Sequence, residues 1–290
     1  MYPIVVKRPL HDTVTLMEIS APAVARKARP GQFIILRIDE NGERIPLTIA
    51  GSDKDKGTVT IIFQKVGATT NRLDTLNEGD SLLDFVGPLG KPSEVDEWKG
   101  KKVAVIGGGL GIAIAYPQAK ALHEAGADVD IIVGFRNTSL FILVDELGAA
   151  CNNLIVMTDD GSNGHKGFTT TALQDRIDSG VKYDCVIAIG PMVMMRAVCN
   201  LTKPLNIPTI VSMNPIMIDG TGMCGCCRVT VDGKMKFACV DGPDFDGHLV
   251  DWDEAIARSK MYKKEEAEST EKHACNLKNI ELQSKRGGAQ

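Results

Sequence analysis

The 290-residue sequence lacks any long apolar run, and no stretch approaches the roughly 18–20 consecutive apolar residues of a membrane-spanning helix. Its first residues carry no apolar core followed by a small-residue cleavage site, so we expect no secretion signal. Aromatic residues make up only 5% of the chain, and the formal net charge of −4 favours neither a nucleic acid nor an anionic membrane as the partner. We therefore expect a cytoplasmic protein of ordinary globular composition, long enough for about two domains.

Histidine is also scarce, and its spacing fits neither a metal site nor an acid–base triad. The five histidines are His11, His123, His165, His248 and His273. Cysteine, in contrast, is concentrated: four of eight cysteines lie between residues 224 and 239. In a reducing compartment such clusters are more often metal ligands than disulfides. The remaining cysteines divide into three predicted core thiols and one thiol near the C-terminus, namely Cys151, Cys185, Cys199 and Cys275.

Two patterns of hydrophobicity divide the chain. Over residues 1–98, short β-branched runs punctuated by Gly, Pro, Asp and Asn predict an antiparallel β-barrel. Over residues 99–213, apolar strands alternate with helices, which predicts a doubly wound parallel α/β sheet. Residues 214–250 form a cysteine-rich module, and residues 251–290 are predicted to be a C-terminal helix and a polar tail that contacts a partner. The expected fold class is therefore α+β with several domains.

Individual elements follow from the same runs. We predict barrel strands at 13–20, 31–38, 58–66 and 81–90. We predict strands of the parallel sheet at 101–109, 128–135, 153–158, 183–191 and 208–213. Helices are predicted at 110–127, 139–150, 169–177, 192–201 and 251–263.

A glycine-rich turn begins the second part of the chain. Gly107, Gly108, Gly109 and Gly111 lie between a strand and a helix, where glycine lets a pyrophosphate approach the backbone and the helix N-terminus offers free N–H groups. The strict GxGxxG spacing is not met, so a tight turn without a ligand stays open. A second signal is a turn at the end of a later strand, at Gly190 and Pro191.

The choice of dinucleotide is less well specified. Arg136 follows the next strand, with no carboxylate there to bind a ribose hydroxyl. This arginine either accepts a 2′-phosphate or is a solvated loop residue. We expect NAD(H).

The first part of the chain, followed by GGGxG, resembles the ferredoxin–NADP reductase superfamily, which implies bound FAD. The stretch RIPLTIAG matches that family's flavin-binding strand. The resemblance implies that Arg44 faces the flavin diphosphate and that Thr48 lies near the isoalloxazine edge, with Pro46 and Leu47 replacing the usual aromatic residue. A strand arginine without this role is the alternative.

A second stretch, KVGATTNRLDTL, matches the same family. The resemblance implies that the start of a short helix offers N–H and hydroxyl donors to the flavin phosphates. An ordinary helix cap is the alternative. The residues concerned are Gly67, Ala68, Thr69 and Thr70.

The cysteine-rich stretch has the spacing of a metal centre. Cys224, Cys227 and Cys239 form C-x2-C-x11-C, and a [2Fe–2S] cluster needs four ligands. The fourth is either Asp219 or Cys226; a zinc site is a further alternative. The spacing D-x4-C-x2-C-x11-C closely resembles the cluster motif of the electron-transfer subunit of dihydroorotate dehydrogenase, which has cysteine in the first position. This resemblance implies Asp219 as the iron ligand.

Over residues 1–262 the chain resembles the small (alpha) subunit of NADH-dependent reduced ferredoxin:NADP+ oxidoreductase, the dihydroorotate dehydrogenase subunit and the beta subunit of sulfide dehydrogenase. The aspartate at position 219 favours the first. That resemblance implies an electron-bifurcating heterodimer in which this chain passes electrons between NAD(H), FAD and a [2Fe–2S] cluster. It also implies a larger flavoprotein subunit and ferredoxin as partners. The alternatives are a dihydroorotate-type subunit and a non-catalytic zinc-binding regulatory subunit.

Overall fold

The computed structural model describes residues 1–271. Its N-terminal part is a seven-stranded antiparallel sheet with the strand order β6-β1-β2-β5-β4-β3-β7. The strands are β1 (Tyr2–His11), β2 (Val14–Ser20), β3 (Phe33–Arg37), β4 (Ile45–Asp53), β5 (Thr58–Gln64), β6 (Ser81–Leu82) and β7 (Asp84–Leu89), with the helices α1 (Pro22–Ala25) and α2 (Ala68–Thr75).

The two edge strands of this sheet are consecutive in the sequence, which closes the sheet. β6 and β7 occupy its two edges, yet Leu83 alone separates them in the sequence. The two edges therefore meet, as the predicted β-barrel requires. Apolar residues fill the interior, among them Met17, Ile34, Ile61 and Phe63.

The second sheet has six strands in the order β10-β9-β8-β11-β12-β15. All neighbours are parallel except β12 and β15, which are antiparallel. The strands are β8 (Lys102–Gly108), β9 (Asp128–Phe135), β10 (Asn153–Thr158), β11 (Cys185–Ile189), β12 (Thr209–Ser212) and β15 (Asp244–Asp246).

Helices cover both faces of this sheet. On one face, α3 and α4 pack with Val103 and Val105; on the other, α5, α6 and α7 pack with Ala104 and Ile106. Because both faces are buried, the strands lack polar alternation, as expected. The helices are α3 (Gly111–Glu124), α4 (Val144–Ala149), α5 (Thr169–Asp178), α6 (Met192–Thr202) and α7 (Trp252–Arg258). None of the helices in the described part is long and apolar enough to cross a membrane.

The cysteine-rich stretch connects β12 to β15 and contains the hairpin β13 (Arg228–Val231) and β14 (Lys234–Phe237). Its buried residues, including Cys227 and Cys239, pack directly on Phe33 and Ile35 of barrel strand β3. The barrel, the six-stranded sheet and this stretch are thus in mutual contact. The predicted α+β fold class is confirmed, while the bounds of the four predicted domains remain predictions.

Several predicted elements match their observed bounds, and two helices do not. β9 and β10 lie at the predicted positions 128–135 and 153–158. The helix predicted over 139–150 is wrong in its first half, because α4 begins only after Leu143, whose φ is 55°. Residues 138–140 form a short 3-10 helix, and the apolar run 141–143 that follows packs on the core without regular secondary structure. Apolar residues in a short run do not distinguish such a segment from a helix.

The C-terminal prediction needs a similar correction. The single helix predicted over 251–263 is interrupted: α7 ends at Arg258, residues 259–262 form turns, and residues 263–271 are helical. Cys275 and the rest of the predicted tail, 272–290, lie outside the described residues.

Candidate functional site

The order of the parallel strands places a crevice at the carboxyl ends of β8 and β11. From β8 the chain proceeds to β9 and β10 on one side, and later to β11 and β12 on the other. In open α/β sheets, ligands bind at this point of reversal. The Gly107–Gly111 loop ends β8, and Gly190 and Pro191 end β11. The structure therefore brings the two predicted glycine turns together.

The two turns pack against each other without room for side chains. A methyl group on Gly111 would overlap the carbonyl oxygen of Ile189, and one on Gly108 would overlap the sulfur of Met194. Gly109 differs, because its φ is +55° and a methyl group there would meet no heavy atom within 4 Å. Its backbone faces open space, where a phosphate can approach closely.

A large cavity lies in front of these turns, with a volume of about 790 Å³. Its walls include Gly108, Gly109, Arg136 and Pro191, all predicted for nucleotide binding. Asp159 also lines it, directly after β10. Sequence reasoning considered only the end of β9 for a ribose-binding carboxylate, although the next strand of the parallel sheet ends at the same edge.

A second cavity of about 480 Å³ shares part of its wall with the first. The barrel contributes Pro46, Leu47 and Thr48, as predicted for a flavin ring. The glycine turns and the start of the cysteine-rich stretch complete the wall, with Gly108, Gly109, Gly111, Gly190, Pro191, Asn214 and Met217. Ligand pockets commonly have volumes of roughly 300–1,000 Å³, so this cavity is of suitable size for part of a flavin.

Other predicted flavin residues lie away from both cavities. The Arg44 Nε donates to the carbonyl oxygen of Ile218 at 2.9 Å, and its Nη1 lies 3.5 Å from a carboxylate oxygen of Asp84. Sequence reasoning missed this link from the barrel to the cysteine-rich stretch, because nothing local predicts a contact 174 residues away.

The predicted phosphate-binding turn begins α2. Gly67 is its N-cap, and the Thr70 Oγ1 accepts the Gly67 N–H at 3.2 Å. The Thr69 hydroxyl donates to Glu43 at 2.6 Å. A Cβ on Gly67 would meet no atom within 4 Å, so the turn that includes Ala68 is open to a ligand.

In the β8–α3 loop, Gly107 packs against Ile112 beneath the other glycines.

Asp219 organises the loop that carries the first cysteines. Its Oδ1 accepts the Thr221 N–H at 2.9 Å and its Oδ2 accepts the Cys224 N–H at 2.8 Å. The hydrogen bond from Thr221 is the largest of the effects that lower the pKa of Asp219. The carboxylate is therefore held in its ionised form, the form that can bind a metal ion.

Cys227 and Cys239 are the predicted ligands that the structure brings into contact. Their sulfur atoms lie 3.2 Å apart, and both residues are buried. Burial, followed by the neighbouring Cys227, raises the pKa of Cys239 to about 12. Cys224 is exposed and Cys226 is half-buried. Within residues 1–271, no three His, Cys, Asp or Glu side chains are grouped as a metal site, so the full predicted ligand set is not assembled.

The donor atoms nevertheless fit a metal–sulfur group. Two thiols are in contact without a disulfide, and a third thiol and an ionised carboxylate lie on the same loop. Glycines with positive φ, Gly220, Gly222 and Gly225, allow this loop to turn tightly. Thiolate and carboxylate donors are ligands for iron and zinc. Cys185 and Cys199 are instead buried core thiols, as predicted, whereas Cys151 is only half-buried.

Comparisons with known proteins agree with this arrangement. The family of the iron–sulfur cluster binding domain of dihydroorotate dehydrogenase B matches residues 214–251. A Clostridium beijerinckii protein described as an uncharacterized protein in the adh 3′ region is 55% identical over 275 residues, which is 93% of each chain.

Two further relatives have informative names. The electron transfer subunit homolog of dihydroorotate dehydrogenase B (NAD(+)) from Thermotoga maritima is 45% identical over 93% of this chain and 94% of its own. The solved structure of an NADH-dependent reduced ferredoxin–NADP oxidoreductase, reported for flavin-based electron bifurcation, is 44% identical. It superposes with a TM-score of 0.88, covering 94% of this chain and 97% of that chain. The chain therefore belongs to the family of the electron-transfer subunits of dihydroorotate dehydrogenase B and their homologues.

Proposed function

We propose that this chain is the electron-transfer subunit of an electron-bifurcating NADH-dependent ferredoxin:NADP+ oxidoreductase. The observation that carries the proposal is the 480 Å³ cavity, whose wall is formed jointly by the barrel, the glycine turns and the cysteine-rich stretch. A flavin, a nicotinamide and an iron–sulfur centre can be held next to one another only where three such parts meet. The overall similarity to the solved ferredoxin–NADP oxidoreductase supports the same assignment.

Each part of the chain has a binding task in this function. The amides of the Gly107–Gly111 loop and of Gly190 would bind the NAD(H) pyrophosphate beside Pro191, and Arg136 lines the same cavity. In the barrel, Pro46, Leu47 and Thr48 hold the FAD ring. Bound FAD supplies the exchange between two-electron hydride chemistry and one-electron transfer.

The remaining site residues are assigned to the FAD diphosphate and to the iron–sulfur cluster. Arg44 and the Gly67–Thr70 turn, which lie on the barrel outside the two cavities, would hold the FAD diphosphate. Asp219, Cys224, Cys227 and Cys239 hold the [2Fe–2S] cluster. Since the cofactors carry the chemistry, the chain needs no acid–base triad, and its task is to fix distances and exclude water.

The partners follow from the same assignment. The chain forms a heterodimer with a larger flavoprotein and iron–sulfur subunit, through which ferredoxin exchanges electrons. The name of the Thermotoga maritima relative, an electron transfer subunit homolog, supports a partner subunit. The cytoplasmic location expected from the sequence stays a prediction.

A dihydroorotate-type complex is the second candidate, because the matching cluster-domain family and the Thermotoga maritima relative carry that name. Asp219 argues against it, since the resemblance places cysteine at that position in the dihydroorotate type. A regulatory zinc subunit is the remaining alternative. The glycine turns and flavin-sized cavity give it no support, because such a subunit needs neither.

The decisive experiment isolates the native complex and identifies the subunit that co-purifies. Visible absorbance of flavin and cluster distinguishes a redox subunit from a zinc protein. Ferredoxin reduction is then assayed with NADPH alone, with NAD+ alone and with NADPH and NAD+ together, because bifurcation sends one electron of each pair to ferredoxin and the other to NAD+. We expect the full rate only when NADPH and NAD+ are both present. If the combination gave no more than either nucleotide alone, coupled electron transfer would be rejected.

A further inference from the structure

The segment that leaves the barrel is fastened to the end of the cysteine-rich stretch. The Lys91 N–H donates to the carbonyl oxygen of Gly242 at 2.7 Å. Nearby, the Ser93 hydroxyl donates to the Asp244 Oδ2 at 2.7 Å, across 151 residues of sequence. A methyl group on Gly31 would overlap the Ser93 side chain, so barrel backbone packs directly behind this serine. We call the Ser93–Asp244 pair the junction bond.

Asp244 also lies next to residues that line the 480 Å³ cavity. It pairs with Ser212 in the β12–β15 ladder, and the Met213 N–H donates to the carbonyl oxygen of Pro243 at 2.9 Å. Ser212, Met213 and Pro243 all line the 480 Å³ cavity. The junction bond is therefore one residue removed from the cavity wall that the barrel and the cysteine-rich stretch form together.

Asp244 lies in costly surroundings for a carboxyl group. Its Oδ1 and both amide atoms of Gln118 are buried and make no hydrogen bond of ordinary geometry. Burial raises the pKa of Asp244, although the nearby Ser93, Ser212 and Gln118 side chains act to lower that pKa. Gln118 is only 1% exposed. Both residues line a separate cavity of about 300 Å³ that also includes Lys91 and Ser93. Unpartnered buried polar atoms destabilise a fold, so a carboxyl group here calls for another reason.

We propose that Asp244 is a positioning residue: held by Ser93, it fixes the cavity wall relative to the barrel and so sets the geometry for electron transfer between the flavin and the cluster. This inference rests on the proposed function. Asp244 lines neither the 790 Å³ nor the 480 Å³ cavity and acts through Ser212, Met213 and Pro243. Small displacements of positioned groups can cost up to about 100-fold in rate, which is why a single tether can matter.

The test compares Ser93→Ala, Asp244→Ala and Asp244→Asn with wild type in the intact complex. The matched control is Thr15→Val, which removes another hydroxyl–carboxylate bond, from Thr15 Oγ1 of β2 to Asp74 near the end of α2 at 2.5 Å, remote from the junction. FAD and iron content are measured first. Hydrogen exchange is then followed in the peptides that contain Lys91 and Met213, and stopped-flow absorbance follows cluster reduction after mixing with NADH.

We expect Ser93→Ala and Asp244→Ala to keep FAD and iron, to exchange the reporting amides faster, and to slow cluster reduction on the order of tenfold. Asp244→Asn keeps an oxygen acceptor for Ser93, so it should restore most of the rate. Thr15→Val should change neither exchange at the junction nor the rate of cluster reduction.

Unchanged exchange or an unchanged rate in both Ser93→Ala and Asp244→Ala overturns the proposal, as does an equal slowing in the Thr15→Val control. If Asp244→Ala fails to fold, Ser93→Ala decides alone. A wild-type complex that contains no FAD or no iron rejects the proposed function instead, so the two failures are distinguishable.

Discussion

At the scale of single residues, two glycines of the β8–α3 loop have different physical requirements. Gly111 has no room for a methyl group, because Ile189 and Gly190 lie against it. Gly109 has ample room, but its φ of +55° is costly for other residues. Packing constrains the first position, and backbone conformation and ligand approach constrain the second.

We predict that Gly109→Ala folds with a loss of about 1–2 kcal/mol in unfolding free energy and binds NADH more weakly, because the new methyl group enters the nucleotide cavity. Gly111→Ala should lose about 1–3 kcal/mol through overpacking. Thermal denaturation and fluorescence titration with NADH measure the two effects. Unchanged NADH affinity in Gly109→Ala would contradict a pyrophosphate site at this loop.

The cluster ligands give a second prediction at this scale. Asp219→Ala and Asp219→Asn should both change the visible circular dichroism and the potential of the cluster, whereas Cys226→Ser should change neither. Asp219→Asn is the more informative variant, because its amide oxygen can still accept the Thr221 or Cys224 N–H while the negative charge is lost. Cys227→Ser should reduce the iron content. A wild-type spectrum and potential in Asp219→Ala would show that Asp219 is not a ligand.

At the scale of elements, Asp130 near the start of β9 links the start of β8, the last turn of α5 and the segment before β11. Its carboxylate accepts hydrogen bonds from Lys102 of β8, Arg176 of α5 and the hydroxyl of Tyr183. Burial opposes ionisation of Asp130, but the hydrogen bonds outweigh it and lower its pKa from 3.8 to about 2. The ionised form is therefore stabilised by folding.

This network predicts a pH dependence of stability. Because the folded-state pKa is below the unfolded value of 3.8, the contribution of about 2 kcal/mol is present at neutral pH and is lost as pH falls toward about 2. Asp130→Asn should be less stable than wild type at pH 7, with the difference shrinking below about pH 4. Asp128→Asn, which removes a more exposed partner of the same Lys102, should have a much smaller effect. Urea denaturation across this pH range measures both variants, and a pH-independent difference would contradict the assignment.

Elements are predicted best where one local rule decides them. β10 is a continuous apolar run bounded by polar residues, and β9 departs from that pattern only at Asp128, Asp130 and Gly134. The turn at 107–111 requires glycine either for packing, as at Gly111, or for a positive φ, as at Gly109. The helix predicted from residue 139 begins too early, because burial of apolar residues does not reveal backbone conformation. Arg44–Ile218 and Ser93–Asp244 could not be predicted, since each joins segments more than 150 residues apart.

At the scale of the whole molecule, the barrel and the six-stranded sheet share one apolar cluster. Val14, Leu16, Ala50 and Ile62 of the barrel are buried with residues of α3 and β8. The 480 Å³ cavity adjoins this contact and is lined by both parts. A ligand in that cavity therefore contacts both parts at once.

We predict that FAD raises the melting temperature of the cofactor-free chain and sharpens its unfolding into one transition. At a FAD concentration about 100 times the dissociation constant, linkage gives about 2.7 kcal/mol. AMP, which lacks the flavin and therefore cannot bridge the two parts, should stabilise the chain without sharpening the transition. Differential scanning calorimetry measures both effects. An unchanged melting temperature with FAD would contradict binding in the shared cavity.

The cysteine-rich stretch leaves the sheet at Ser212 and returns at Asp244, which are paired neighbours on adjacent strands. Its ends are also bonded to each other, through Met213 and Pro243. The cysteine-rich stretch is thus, in topology, an insertion between two paired strands of the sheet. A short turn in its place would preserve the order of every other strand, but it would uncover the apolar surfaces at Phe33 and Ile35 of the barrel and beside α6 and α7. A reductase of this architecture can accordingly gain or lose its one-electron outlet by a single insertion or deletion that leaves the strand order of both sheets unchanged, provided that the uncovered surfaces change with it.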